Sequence, residues 1–141
     1  MTTSEAKFKY QDFLNDFDDC NFSTLISQER QGYRWVFEPL SDERNFIPLY
    51  AKPNYTGSKS LCIGYALSMF KDKEDAKARF AELIAGKPNC YKKIGTHLSG
   101  GLLKISDGKS NDCDSKGHFS LFEFEDVDLK MSFQITEQLE I

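Results

Sequence analysis

The chain switches between two hydrophobic periods, and each switch marks an element. In residues 4–17, Tyr10, Phe13, Leu14 and Phe17 recur at intervals of three and four, the spacing that lines one helix face. Asp12, Asp16, Asp18 and Asp19 lie on or just beyond the other face, so the spacing predicts a short amphipathic helix ending near Asp18. From Gly32 the period falls to two: Tyr33, Trp35 and Phe37 alternate with Arg34, Val36 and Glu38 until Pro39 closes the run. Residues 45–51 are apolar but contain Pro48, which restricts them to an edge strand, and residues 52–58 read as a loop. Residues 60–70 predict a buried strand in which Gly64 marks a bulge or a close backbone approach.

Asp72 opens a second helix, with Asp75 three residues on as a capping partner. Ala76, Phe80, Leu83 and Ile84 form its apolar stripe, and Gly86 with Pro88 ends it. Residues 94–105 are strand-like but interrupted at Gly100-Gly101, which predicts a hairpin or a bulge. Residues 118–125 make an aromatic-rich strand. Residues 128–135 predict a strand with Leu129, Met131, Phe133 and Ile135 on one face and Asp128, Lys130, Ser132 and Gln134 on the other. Strands clustered on either side of one long helix predict an α+β fold, with a mostly antiparallel sheet packed against two main helices. The expected organisation is a single domain over residues 1–141, comprising an N-terminal helix in 1–18 and a core in 32–135.

Composition narrows the function. A chain of 141 residues makes one domain and buries enough surface to need neither metal nor disulfide for stability. Lys plus Arg total 18 against 22 Asp plus Glu, a net charge of −4. That balance argues against a nucleic-acid partner, whose phosphates need basic side chains, and against an anionic membrane surface. The first residues lack the basic and apolar regions of a secretory signal, and residues 61–70 are too short to span a bilayer. Cys20, Cys62, Cys90 and Cys113 form no Cys-x-x-Cys pair. The expectation is therefore a cytoplasmic chain with four free thiols and no disulfide.

Motifs for chemistry are sparse. Residues 112–123 carry Asp112, Asp114, Gly117 and Glu123 at calcium-loop spacing, but Lys116 stands where an oxygen ligand belongs, so calcium is rejected. Gly57-Ser-Lys-Ser60 and Gly108-Lys-Ser110 open no helix and lack the earlier glycine of a phosphate loop. Cys90, His97, Cys113 and His118 lie close in sequence but match no compact zinc module, so no metal is assigned. Ser68 and Ser120, or a cysteine, could act as a nucleophile with His97 or His118 as base, without a Gly-x-Ser-x-Gly elbow to support it. Glu123 and Glu125 share one strand face, where repulsion would raise one pKa if they lined a pocket.

Three stretches taken together, Tyr33-Arg34-Trp35, Tyr65-Ala-Leu-Ser68-Met-Phe70 and His118-Phe-Ser-Leu-Phe-Glu123-Phe-Glu125, resemble small bacterial domains of the ADP-ribosyltransferase-like kind, including RES-type toxins that consume NAD. The resemblance implies that Arg34 contacts the dinucleotide, Ser68 supports the nicotinamide pocket, and Glu123 or Glu125 polarises the ribose. Ser68 lies outside a Ser-Thr-Ser triplet and the Gly-Arg-Trp run of RES domains is missing, departures that bear on catalysis before fold. The leading expectation is a non-enzymatic, immunity- or inhibitor-like domain without a cofactor, which binds a basic protein partner through Asp12, Asp16, Asp18 and Asp19. The alternative is an NAD- or nucleotide-binding domain, active or degenerate.

Overall fold

The computed structural model describes residues 7–141. Its α+β architecture is one six-stranded sheet with three helices. The strands are β1 (Arg30–Val36), β2 (Leu67–Phe70), β3 (His97–Leu103), β4 (Gly108–Ser110), β5 (His118–Glu123) and β6 (Phe133–Gln138). They lie in the order β4-β5-β2-β1-β3-β6, and every neighbouring pair is antiparallel. The helices are α1 (Gln11–Leu14), α2 (Lys73–Gly86) and α3 (Tyr91–Ile94).

The α2 helix begins where the sequence places it. The Asp72 carboxylate accepts the Asp75 N–H at 2.9 Å, satisfying a backbone donor that a helix start leaves open. Ala76 and Phe80 are buried against one sheet face, with Phe70 and Leu98 beneath them. Trp35 ties helix to sheet by donating its indole N–H to the Ala76 carbonyl at 3.0 Å. The opposite face carries a second cluster, built on Val36, Leu67, Met69, Leu103, Phe119, Leu121 and Phe133 and closed by Phe46 and Leu129 from irregular segments. A third cluster joins Phe8 and Leu14 to Tyr50, Cys62, Tyr65 and Phe122.

Several expectations need correction. Only residues 11–14 of the N-terminal segment are α-helical; residues 4–6 of the expected helix lie outside the described residues. The 60–70 run is a 3₁₀ turn over Cys62–Tyr65 followed by the short β2. Gly64 there does mark a close approach, because the Tyr50 ring packs where its Cβ would stand. Residues 45–51 form no strand. Gly100 and Gly101 do not break β3, which runs through both. The Tyr33 and Phe133 rings lie against them, each 2.6 Å from where a Cβ would be. The irregularity falls earlier, between Leu98 and Ser99 in the pairing with β6. Residues 128–135 split into a turn over Leu129–Met131 and the start of β6, leaving Met131 85% exposed while Leu129 and Phe133 are buried.

The largest correction concerns the cysteines. Cys20 and Cys62 are joined, with Cα atoms 6.0 Å apart across a separation of 42 residues, inside the range a disulfide requires. The expectation of four free thiols and no disulfide fails because spacing along the chain does not encode proximity in the fold. The stretch after α1 returns against residues 60–65, and the Asp19 carboxylate accepts the Cys62 N–H at 3.1–3.2 Å beside the bond. Cys90 and Cys113 are free.

Candidate functional site

The site lies where β1 and β2 part. Their ladder has a single register pair, Tyr33↔Phe70. Beyond it the Arg34 side chain enters the gap, and its Nη1 donates to the Ser68 backbone carbonyl at 2.9 Å. A cavity of about 360 Å³ opens there. Ser68, Ser120, Phe70 and His118 form its floor, brought together because Ser68↔Ser120 and Phe70↔His118 are cross-strand partners of β2 and β5. Trp35 and Ile94 line it as well, with an irregular wall of Ile47, Pro48, Leu49, Tyr50, Lys52, Leu61, Ile63 and Gly64.

The irregular wall is held by side chains. Asn45 accepts the Phe37 N–H at 2.7 Å and donates to the carbonyls of Phe37, Pro39 and Leu40 at 2.8–3.3 Å. It thereby fixes the turn that delivers Ile47–Tyr50. Phe46 within that turn has φ 58°, a conformation rare for a residue with a side chain. The Tyr50 hydroxyl accepts the Leu61 N–H at 3.3 Å and so joins both halves of the wall.

The cavity is cationic in a chain of net negative charge. Among the described residues, Arg34 and Lys52 line it and no carboxylate does. Arg34 Nε is buried without a hydrogen-bond partner among the described residues. Burial pushes the guanidinium pKa down to about 10, with Glu123 opposing the shift, so Arg34 remains charged at neutral pH. Burial also lowers the pKa of Lys52, and the neighbouring charge of Arg34 adds to the effect. A cation taken from water with little compensation is unfavourable unless an anion meets it.

The residues named from sequence separate. Arg34 and Ser68 meet in the cavity, and neither Glu123 nor Glu125 lines it. By strand alternation Glu123 lies on the β5 face opposite Ser120. It is buried there, with Oε2 accepting from Lys9 Nζ at 3.0 Å and Oε1 without a partner among the described residues. Burial raises its pKa, against the pull of Lys9 and Arg34. Glu125 is exposed.

His118 has Nδ1 3.9 Å from Asp114 and packs its ring edge-on to Phe70 at 5.4 Å. Burial lowers its pKa despite Asp114. Among the described residues neither Ser68 nor Ser120 hydrogen-bonds to it, so the floor holds no Ser–His pair poised for attack. Asp114 instead accepts the N–H groups of Lys116 and His118, closing a polar turn at the would-be calcium loop. The one cluster of ligand-type atoms within metal-binding reach among the described residues is Asp19, Cys20 and Cys62, whose cysteines are bonded to each other; Cys90, His97, Cys113 and His118 form no such group. Asp12, Asp16, Asp18 and Asp19 are exposed; Asp12 lies 4.0 Å from Lys7 Nζ, and Asp19 accepts the Cys62 N–H.

Sequence reasoning missed Lys52, read as part of a plain loop, and the wall residues Leu49, Leu61 and Ile63. No periodic signal marks them. Among the described residues no helix is long and apolar enough to cross a membrane. Comparison with protein-family models, curated proteins and solved structures finds no match to this chain.

Proposed function

We propose that this chain is a non-enzymatic binding domain that takes a small anionic ligand into the Arg34 cavity. The observation that carries the reading is the pairing of Arg34 and Lys52 on a cavity with no carboxylate lining. An anion placed there would offset the burial of both cations. Binding is favoured over group transfer because the floor presents no paired base and nucleophile, and Glu123 stands on the other face. Nucleotide binding, with NAD as the ligand implied by the resemblance, is one form of this reading, since Arg34 and Ser68 share the cavity. The volume of about 360 Å³ lies at the small end of ligand pockets, so a mononucleotide suits it better than a fully enclosed dinucleotide.

Thermal shift with AMP, ADP-ribose and NAD tests this. A ligand at 100 times its dissociation constant adds about 2.7 kcal/mol, a shift of several degrees for a domain of this size. That shift is expected to vanish in Arg34→Met. If it persists in Arg34→Met, the ligand sits elsewhere.

A second reading is a basic protein partner docking on the acidic N-terminal face. Phe13 favours it, since it is 53% exposed amid Asp12, Asp16 and Asp18 and could serve as an apolar anchor within a charged rim. Neutralising the aspartates is expected to slow association and flatten its salt dependence; unchanged kinetics remove the face from consideration. The cytosolic placement is part of this proposal, and the cystine tests it, because such bonds persist mainly in oxidising compartments. Alkylation of the protein as it exists in its host separates the cases: blocked Cys20 and Cys62 overturn the cytosolic placement, and free thiols support it.

A further inference from the structure

The cavity has a second property that a plain anion site does not need. Three large apolar side chains on its irregular wall face water: Leu49 is 50% exposed, Leu61 52% and Ile63 43%. Trp35, Ile94 and Phe70 line the same cavity. Singly exposed apolar residues are ordinary, but a contiguous group around a concave opening marks an apolar contact surface. The cavity therefore combines a cationic locus at Arg34 and Lys52 with an apolar rim.

We infer that the ligand is an amphiphile, an oxyanion head of the carboxylate or phosphate-monoester type carried on an apolar chain. This rests on the anion-binding reading above and adds the second half of the molecule. The head would meet Lys52 and the Nη of Arg34 that Ser68 leaves unused. Guanidinium groups suit both head types, since each offers paired oxygens to a planar set of donors. The chain would lie across Leu49, Leu61 and Ile63 and remove them from water, at roughly 0.8 kcal/mol per buried methylene. His118, whose pKa burial lowers, adds a hydrogen-bonding group without requiring a third charge.

Trp35, the single tryptophan of the chain, lines the cavity and reports occupancy by its fluorescence. The experiment titrates the full chain with decanoate, decyl phosphate, decanol, acetate and inorganic phosphate, each below any micellar concentration. Decanoate or decyl phosphate is expected to change the Trp35 emission saturably and to bind at least tenfold more tightly than decanol, acetate or inorganic phosphate. Arg34→Met and Lys52→Met are expected to weaken it at least tenfold, with Arg34→Lys recovering part of the loss. Leu61→Ser with Ile63→Ser is expected to weaken the decyl ligands while leaving inorganic phosphate unaffected, and circular dichroism confirms that each variant is folded. If acetate and inorganic phosphate bind as tightly as the decyl forms, the anion site stands and the amphiphile is overturned. If decanol binds as well as decanoate and Arg34→Met changes nothing, the anion site falls and the amphiphile with it.

Discussion

Arg30 and Arg34 stand four residues apart on β1, so the period of a strand puts them on the same face. Each faces an aromatic ring, but their hydrogen bonding differs. Arg30 lies over the Phe119 ring at 3.6 Å. It donates to Ser110 Oγ and the Asn111 carbonyl, both at 3.2 Å, and to Cys113 Sγ at 3.0 Å. Its charge is used by the protein itself. Arg34 lies farther from its ring, 5.9 Å from Phe46, and among the described residues it has one acceptor, the Ser68 carbonyl, a buried Nε with no partner, and a cavity beside it. The Arg30 end of the strand is closed by the neighbouring β4–β5 edge. The Arg34 end is open because β1 and β2 share only one register pair there. The contrast teaches how to separate two uses of a semi-buried cation: one that fastens neighbouring segments together, and one held with unspent donors next to empty space.

The largest expected effect comes from loosening the Arg34 end alone. Cys62 sits between the wall residues Leu61 and Ile63 and is joined to Cys20 across 42 residues. Closing a loop of that length restricts the unfolded chain by about 4 kcal/mol in the chain-entropy model. Chemical denaturation with and without reductant, or of Cys20→Ser with Cys62→Ser, is expected to show most of that loss. An unchanged midpoint would mean the cystine does not brace the wall. Next comes Arg30→Met, which strands three acceptors and removes a stacked cation; a loss of about 3 kcal/mol is expected. Arg34→Met should change stability by less than about 1 kcal/mol, since it also removes an under-compensated buried charge. The reverse order of the two would break the comparison outright.

Asn45→Ala is expected to cost about 2 kcal/mol, because it leaves the Phe37 N–H and several carbonyls without partners. Ligand affinity should fall as well, as the turn carrying Ile47–Tyr50 loses its clamp. Retained affinity in a destabilised variant would show that the wall holds its shape without Asn45. The smallest effect concerns Glu123, whose charge acts on Arg34 from outside the cavity lining. Burial raises its folded-state pKa above the ordinary 4.5. The folded state thus holds this proton more tightly than the unfolded chain does. Its contribution is fully present below the unfolded pKa and is lost as pH rises through the folded value. Glu123→Gln is expected to remove that decline, measured as a flatter dependence of stability on pH above the ordinary value of 4.5. An unaltered slope would assign the decline to other groups.

Different parts of the molecule were legible to different degrees. The α2 helix was read with its cap, its stripe and its end, because Asp72, Asp75, Ala76 and Phe80 act within one or two turns of one another. The strand through Tyr33 and Trp35 was read to within two residues of its ends for the same local reason. Residues 128–135 misled, since perfect alternation of Leu129, Met131, Phe133 and Ile135 is also produced by a turn that buries Leu129 and then exposes Met131. Gly100-Gly101 misled in the other direction, because those glycines answer to Tyr33 and Phe133 rings supplied from β1 and β6. Arg34 and Ser68 were named together on a resemblance, and the fold puts both in one cavity. Glu123 was named with them, and strand alternation puts it on the β5 face opposite Ser120, outside the cavity lining.

What the sequence determined by itself is the α+β class, the antiparallel habit of the sheet and the placement of its long helix. These follow from periodicity, capping and turn residues, which are interactions between near neighbours. The tertiary structure alone decided the Cys20–Cys62 bond, the arrival of Lys52 beside Arg34 and the opening of a cavity between two strands of one sheet. Each depends on where segments tens of residues apart are set down. That placement is fixed by the packing of three aromatic clusters, whose rings carry no record in the sequence of which partner they will meet.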